Sequence, residues 1–120
     1  MARELVVKVT CGADEPERCN QGFTVAATAA ASGVAVSLWL TGEAAWLAVP
    51  GRAEELDLPL ATPIADLLDM VLATGSVTVC AQCAARRELA VEDLVDGVRI
   101  AGAPVFVEEA LRDGVQALVY

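Results

Sequence analysis

Apolar and polar positions alternate along this chain in two rhythms, one of short β-branched runs and one of longer amphipathic stretches. Leu5-Val6-Val7-Lys8-Val9 is the first short run, and Thr10-Cys11-Gly12 closes it, which predicts a strand. Asp14-Glu15-Pro16-Glu17 reads as a helix start. Asp14 is placed to cap, Pro16 suits a first turn, and Glu17 completes a capping box. This helix runs through Ala31 and stops at Gly33. Val34 to Leu40 is the second strand. Thr41 to Leu60, with Gly42, Pro50, Gly51 and Pro59, is predicted as a loop region in which Glu43 to Leu47 forms helical turns. Thr62-Pro63 opens the next helix. Its Ile64, Leu67, Leu68, Val71 and Leu72 share one face, and Gly75 ends it. Ser76-Val77-Thr78-Val79 is a short strand that delivers Cys80 at its C-terminal end. Ala81 to Leu89 is predicted helical, Asp93 to Asp96 a turn, and Gly97 to Ala101 a short strand. Pro104 and Gly114 bracket the last helix, and Val115 to Val119 closes the chain.

Strands that alternate with helices define an α/β fold: a three-layer α/β/α arrangement around a five-stranded, mostly parallel sheet. Right-handed crossovers are expected between its strands. The 120 residues suit one domain over 1–120, without repeat or linker. One stretch competes with this reading. Asn20 to Gly42 carries no charge and is long enough by count to span a bilayer. Its first half is rich in Ala, Thr and Ser, and Ser32-Gly33 interrupt it. A helix followed by a buried strand fits better than a membrane span.

Composition narrows the functional classes. Apolar residues make up 56% and charged residues 21%, which excludes a disordered chain. A net charge of −9 repels phosphate backbones and anionic lipid, so neither nucleic acid nor membrane is an expected partner. The absence of histidine removes His-based triads, general bases and metal ligands. Met1 to Lys8 is short and mixed in charge and predicts no signal peptide. The expected compartment is the cytoplasm, where Cys11, Cys19, Cys80 and Cys83 stay reduced instead of forming a disulfide framework.

Ligands of open parallel sheets bind at the C-terminal ends of strands. Three such ends carry polar or reactive groups: Cys11-Gly12, Thr41-Gly42 and Cys80. A cysteine between a strand and a helix is accessible, and the helix start favours its thiolate. Arg86 and Arg87 would add to this if the chain folds them back. The thiolate is the nucleophile in sulfur transfer and thiol exchange. Against this stands the reading of Cys80 as a small buried hydrophobe. Cys83 shares a helix face with Cys80, and a C-x-x-C pair fits a redox couple, half a zinc site, or coincidence. Zinc would have to recruit Cys11 and Cys19, whose seven-residue separation is wrong for a knuckle, so no metal or cofactor is assigned. Cys19 lies inside the first helix and is read as structural. Cys11 stays open, because its strand end should lie near Cys80. Gly12, Gly97 and Gly102 make no phosphate loop. Asp66, Asp69, Glu92, Asp93 and Asp96 are read as solvated faces. Trp39 and Trp46 are read as packing, with Trp46 the better placed for a lid or subunit contact.

The run Val79-Cys80-Ala81-Gln82-Cys83-Ala84-Ala85-Arg86-Arg87 resembles the DsrE/DsrF-like family of sulfur-relay proteins. There, a hydrophobic strand ends in a cysteine, followed by small residues and a basic pair. Cys80 takes that cysteine position, and the C-x-x-C variant is similar to the branch labelled "predicted peroxiredoxin". The resemblance extends over the whole chain, including the opening strand with its Gly and Asp/Glu loop and the run from Leu94 to Gly102. The chain departs from the sulfur-relay members at Glu88, where they carry Gly, and in Cys83, which a simple carrier does not need. The resemblance implies a persulfide on Cys80, donor and acceptor proteins for its sulfur, and a homo-oligomer, trimer or hexamer, with the cysteine near subunit contacts. Cys80 and Cys83 are therefore the expected catalytic residues. Cys11, Gly12, Thr41, Gly42, Arg86 and Arg87 are the expected substrate-binding ones. Three functions stay open: a sulfur carrier on Cys80, a thiol–disulfide or peroxide-handling protein on Cys80 and Cys83, and a non-catalytic binding module.

Overall fold

Glu4–Val9 (β1), Ala35–Leu40 (β2), Ser76–Cys80 (β3), Arg99–Ala101 (β4) and Val115–Val119 (β5) form one parallel sheet in the computed structural model, which describes residues 3–120. The strand order is β4-β3-β2-β1-β5. Pro16–Ala31 (α1), Ile64–Thr74 (α2), Ala81–Arg86 (α3) and Ala103–Ala110 (α4) are the helices between strands. The fold is α/β, as the strand and helix alternation predicts. The chain steps outward from β1 to β4, then returns across the sheet to place β5 beside β1. With crossovers of one hand, the returning α4 must lie on the opposite face from the helices of the outward steps.

The two faces differ in chemistry. Val7, Val9, Leu38, Leu40, Val77 and Val79 point to the α1 and α2 side, where they join Phe23, Ala26, Ile64, Leu68 and Val71 in the core. Alanines along α1 let that helix sit close to the sheet. The other face presents Lys8, Ser37, Trp39, Thr78 and Arg99, and the eight-residue α4 covers it. Trp39 is buried there, edge-on to Phe106 of α4 with ring centroids 5.4 Å apart.

Glu109 fastens α4 to this face. Its carboxylate accepts from Ser37 Oγ at 2.6 Å and from Trp39 Nε1 at 3.0 Å, and it pairs with Arg99. Arg99 Nε donates in turn to Thr78 Oγ1 at 2.6 Å. Burial alone would raise the carboxyl's pKa; the hydrogen bonds from Ser37, Trp39 and Arg99, with the Arg99 charge, outweigh it and hold it below the ordinary range.

Several local expectations differ from what forms. The capping box at Asp14 is absent: α1 starts at Pro16 behind Glu15, which makes no side-chain cap. Asp14 Oδ1 instead accepts the Gly12 N–H at 2.8 Å, closing the turn after β1. The Thr41 to Leu60 region is more ordered than a loop, with 3₁₀ segments at Gly42–Ala48 and Ala53–Glu55. Ala44, Ala45, Leu47 and Ala48 bury one side of the first, which gives the segment a packing face. The expected turn at Asp93 to Asp96 follows a 3₁₀ turn at Val91–Asp93. β4 begins only at Arg99, because Gly97 sits at φ +93° and Val98 turns into the core. Asn20 to Gly42 is divided between α1 and β2, and among the described residues no helix is long and apolar enough to cross a membrane.

Glu109→Ala removes two neutral donors' acceptor and the partner of Arg99, and should cost about 3 kcal/mol in urea unfolding at pH 7. The folded carboxyl titrates below its unfolded value. Its contribution is therefore complete above about pH 4.3 and fades as pH falls through the depressed folded value. The gap between variant and parent should close over that acid window.

Candidate functional site

β3 ends on Cys80 and α3 begins on Ala81, so the thiol stands at a strand-to-helix junction, partly exposed. The start of α3 offers three hydrogen-bonding groups that lower its pKa: the backbone N–H of Cys83, the backbone N–H of Gln82 and the Cys83 side chain. Partial burial is the largest single effect and raises the Cys80 pKa. Those hydrogen bonds and the positive charge of Lys8 outweigh it, and the thiol is more acidic than an ordinary cysteine. All four cysteines are free thiols.

Cys83 is buried, and its Sγ accepts the Gly42 N–H at 3.2 Å. The contact depends on a close approach of the loops after β1 and β2. Gly42 has φ +54°, and a Cβ on it would lie 2.6 Å from the Thr10 carbonyl oxygen. A Cβ on Gly12 would lie 2.7 Å from the Glu43 carbonyl oxygen. Thr41 is buried, with its backbone N–H on the Val9 carbonyl at 2.9 Å. Gly42 therefore reaches the dithiol directly, through Cys83, while Gly12 and Thr41 hold the loops that place it.

Of the basic pair, Arg87 is engaged with partners other than Cys80. Arg87 Nη1 donates to the Cys83 carbonyl at 3.1 Å, and Nη2 pairs with Glu43 at 2.8 Å. Its guanidinium lies 5.8 Å from the Trp46 ring centre, with Arg52 at 4.6 Å from the same ring. Arg87 thus ties the end of α3 to the Gly42–Ala48 segment, and Trp46 is pinned between two arginines. Arg86 is exposed at the last position of α3. The charged side chain that lowers the Cys80 pKa is Lys8, the next-to-last residue of β1. Only its interruption of an apolar strand could have marked it in the sequence.

Cys11 is not part of the dithiol. It is buried in the core on the α1 side and influences Cys19. Burial first, then Asp14, raises Cys11; burial, then Cys11 and Asp14, pushes Cys19 up to about 12. These two are inert at neutral pH. Among the described residues, no group of three His, Cys, Asp or Glu gathers to hold a metal. The arrangement is a partly exposed, acidified thiol backed by a buried thiol, and it can accept, hold and release a sulfur or form a disulfide.

A parallel five-stranded α/β sheet bearing an acidified thiol at the end of its third strand defines the class of protein. The chain belongs to the DsrE/DsrF-like family, whose model matches residues 4–119. Its structure is similar to that of the ychN protein of E. coli, at TM-score 0.78 and 18% identity over 100% of both chains. It is also similar to the protein of unknown function MTH1491 from Methanobacterium thermoautotrophicum, at TM-score 0.73 and 10% identity over 100% of both chains. A third likeness is to the conserved protein of unknown function BT1422 from Bacteroides thetaiotaomicron, at TM-score 0.64 and 14% identity over 98% of this chain and 94% of that one. At these identities the likeness is one of fold. No curated protein matches the sequence.

Two outcomes are expected from the site's geometry. Iodoacetamide at pH 7 should label Cys80 well before Cys11, Cys19 or Cys83, read by peptide mass mapping. Gly42→Ala forces a side chain into a left-handed backbone against the Thr10 carbonyl. It should lower stability by about 2 kcal/mol in thermal unfolding and slow Cys80 labelling as Cys83 loses its donor.

Proposed function

We propose that this protein carries persulfide sulfur on Cys80 as a small cytoplasmic relay between a donor and an acceptor protein. The observation that carries the reading is the Cys80 sulfur itself, partly exposed at the β3–α3 junction, with its pKa lowered by the Cys83 and Gln82 backbone N–H groups and the Cys83 side chain. Sulfur transfer needs a thiolate that attacks and later leaves, and an acidified thiol does both at neutral pH. In loading, the Cys80 thiolate attacks the outer sulfur of a donor persulfide. The donor's S–S bond breaks, a new S–S bond forms on Cys80, and the donor departs as a thiolate. Delivery repeats the exchange, with the acceptor thiolate attacking the outer sulfur and Cys80 leaving.

Family membership supports sulfur relay as the general activity. Side chains at the β5 edge and on α4 support the homo-oligomer, trimer or hexamer, that the family resemblance implies. Leu118 and Val119 of β5 and Val107 and Leu111 of α4 are large, apolar and exposed. A strand edge with apolar side chains is the kind of surface that a second copy covers.

The contact between Cys83 and Cys80 favours a second reading, in which the pair forms a reversible disulfide. With a peroxide as oxidant, the Cys80 thiolate takes one oxygen to become a sulfenic acid. The Cys83 thiol then displaces that oxygen as water, leaving Cys80 and Cys83 joined.

Incubation with a persulfide donor, followed by intact-mass and peptide analysis, tests the first reading. Wild-type protein should gain one sulfur atom on the Cys80 peptide, and Cys80→Ser should gain none; uptake at another cysteine in that variant would overturn the assignment. For the second reading, thiol titration after mild peroxide should show two thiols lost from the wild type and no such loss as a disulfide in Cys83→Ala.

A further inference from the structure

Lys8 is an anomaly in this protein. The chain carries 17 acidic residues against 8 basic ones, yet no carboxylate pairs with the Lys8 ammonium among the described residues. It projects from a central strand, half-buried, and its Nζ rests 4.6 Å from the centre of the Phe106 ring. Holding a half-buried lysine under a helix costs stability unless an anion or a π face receives it.

Strand register shows which face of the sheet carries that charge. Lys8 is level with Trp39 of β2, and Trp39 is level with Thr78 of β3. Cys80 lies two positions further along β3, so it continues the same face, beside Ala101 of β4. The other charged groups on this face are Glu4, Arg99 and Glu109. Glu4 pairs with Arg112 and Arg99 with Glu109, so each positive charge other than Lys8 is already matched by a carboxylate. From α3, Cys83 is the titratable group against Cys80, and its side chain lowers the Cys80 titration. Lys8 thus remains as the unmatched cation on the sheet face that ends in the Cys80 sulfur.

We propose that Lys8 is the anion-holding residue of the Cys80 site, stabilising a negatively charged sulfur there and favouring anionic sulfur reagents over neutral ones. This deepens the relay reading and rests on it, because a thiolate and a deprotonated persulfide are the anions that such a site would hold. The direction of the Cys80 titration agrees with the placement, since the Lys8 charge lowers it. In a protein of net charge −9, a local positive spot beside the nucleophile offsets the repulsion that an approaching anion meets.

The test uses two alkylating reagents of similar size, anionic iodoacetate and neutral iodoacetamide, with the Cys80 peptide quantified by mass spectrometry. Wild type, Lys8→Met and Lys8→Arg are compared across pH 5 to 9 at low and high salt. Lys8→Met should lower the iodoacetate-to-iodoacetamide rate ratio by about threefold at low salt and move the midpoint of the labelling profile to higher pH. High salt should shrink the difference, and Lys8→Arg should retain both the ratio and the midpoint. A packing role over Phe106 would leave the ratio unmoved. An unchanged ratio in a folded Lys8→Met protein overturns the proposal, as does a Lys8→Arg protein that loses as much as Lys8→Met. Neither reagent needs a sulfur donor, so a failure of Cys80 to load persulfide would sink the relay reading and leave this measurement intact.

Discussion

The 3.2 Å contact between the Gly42 N–H and the Cys83 sulfur sets the rest of the site. It exists because two loops cross with their backbones nearly touching, Gly42 against Thr10 and Gly12 against Glu43. A side chain at either glycine would drive the loops apart. With the loops together, the buried Cys83 has a fixed acceptor role toward Gly42, and its side chain is held where it lowers the Cys80 pKa. Arg87 strengthens the same junction by joining the Cys83 carbonyl to Glu43 across the two segments. A rigid junction matters for sulfur chemistry, since the two thiols are useful as a pair only at hydrogen-bonding distance.

The four cysteines show how one chain sets opposite chemistry on identical side chains. Burial raises every shifted thiol here, and for Cys19 little opposes it, so that group is pushed up to about 12. Cys80 also loses solvent, but it gains hydrogen bonds from Cys83 and Gln82 and the field of Lys8. Hydrogen bonds to a charged group contribute about 1.5–3 kcal/mol each, and one pKa unit corresponds to about 1.4 kcal/mol. Two such bonds are therefore enough to reverse the effect of partial burial. Cys11 has no such hydrogen bonds and sits near Asp14, and the Arg18 charge does not offset its burial, which explains why a strand-end cysteine can be unreactive.

Much of this was legible in the sequence. The strand periodicity of Leu5 to Val9 and Val34 to Leu40, and the apolar face of Ile64 to Leu72, predict the elements that form. Cys80 at a strand end with a helix behind it also follows from local pattern. What local pattern does not contain is which strands become neighbours. The return of β5 to the side of β1 depends on a crossover, and with it goes the second face of the sheet. Lys8, Trp39 and Phe106 are far apart in sequence, and the pairing that unites them is set by strand register. The expectation for Arg86 and Arg87 rested on nearness in sequence to Cys80. Helix geometry instead carries Arg87 toward Glu43, and Lys8 reaches the sulfur's face from two strands away. The expected cap at Asp14 was displaced by a stronger local demand, the orphan N–H of Gly12.

The two ends of the α4 face are mechanically linked. Glu109 collects Ser37, Trp39 and Arg99, and this fixes the helix at one end of the face. Phe106 lies one helical turn before Glu109, so the same anchoring sets its ring against Trp39 and under the Lys8 ammonium. An eight-residue helix has too little propensity to hold itself in place, and its position must come from tertiary contacts. The buried carboxylate is thus a structural requirement for the placement of the Lys8 charge. Loosening it would free the ring, and the lysine with it, while leaving the β3–α3 junction and its backbone donors to Cys80 in place. The site's hydrogen bonds and its electrostatic field consequently rest on separate supports, one in the glycine-lined loops and one in the helix that covers the Cys80 face of the sheet.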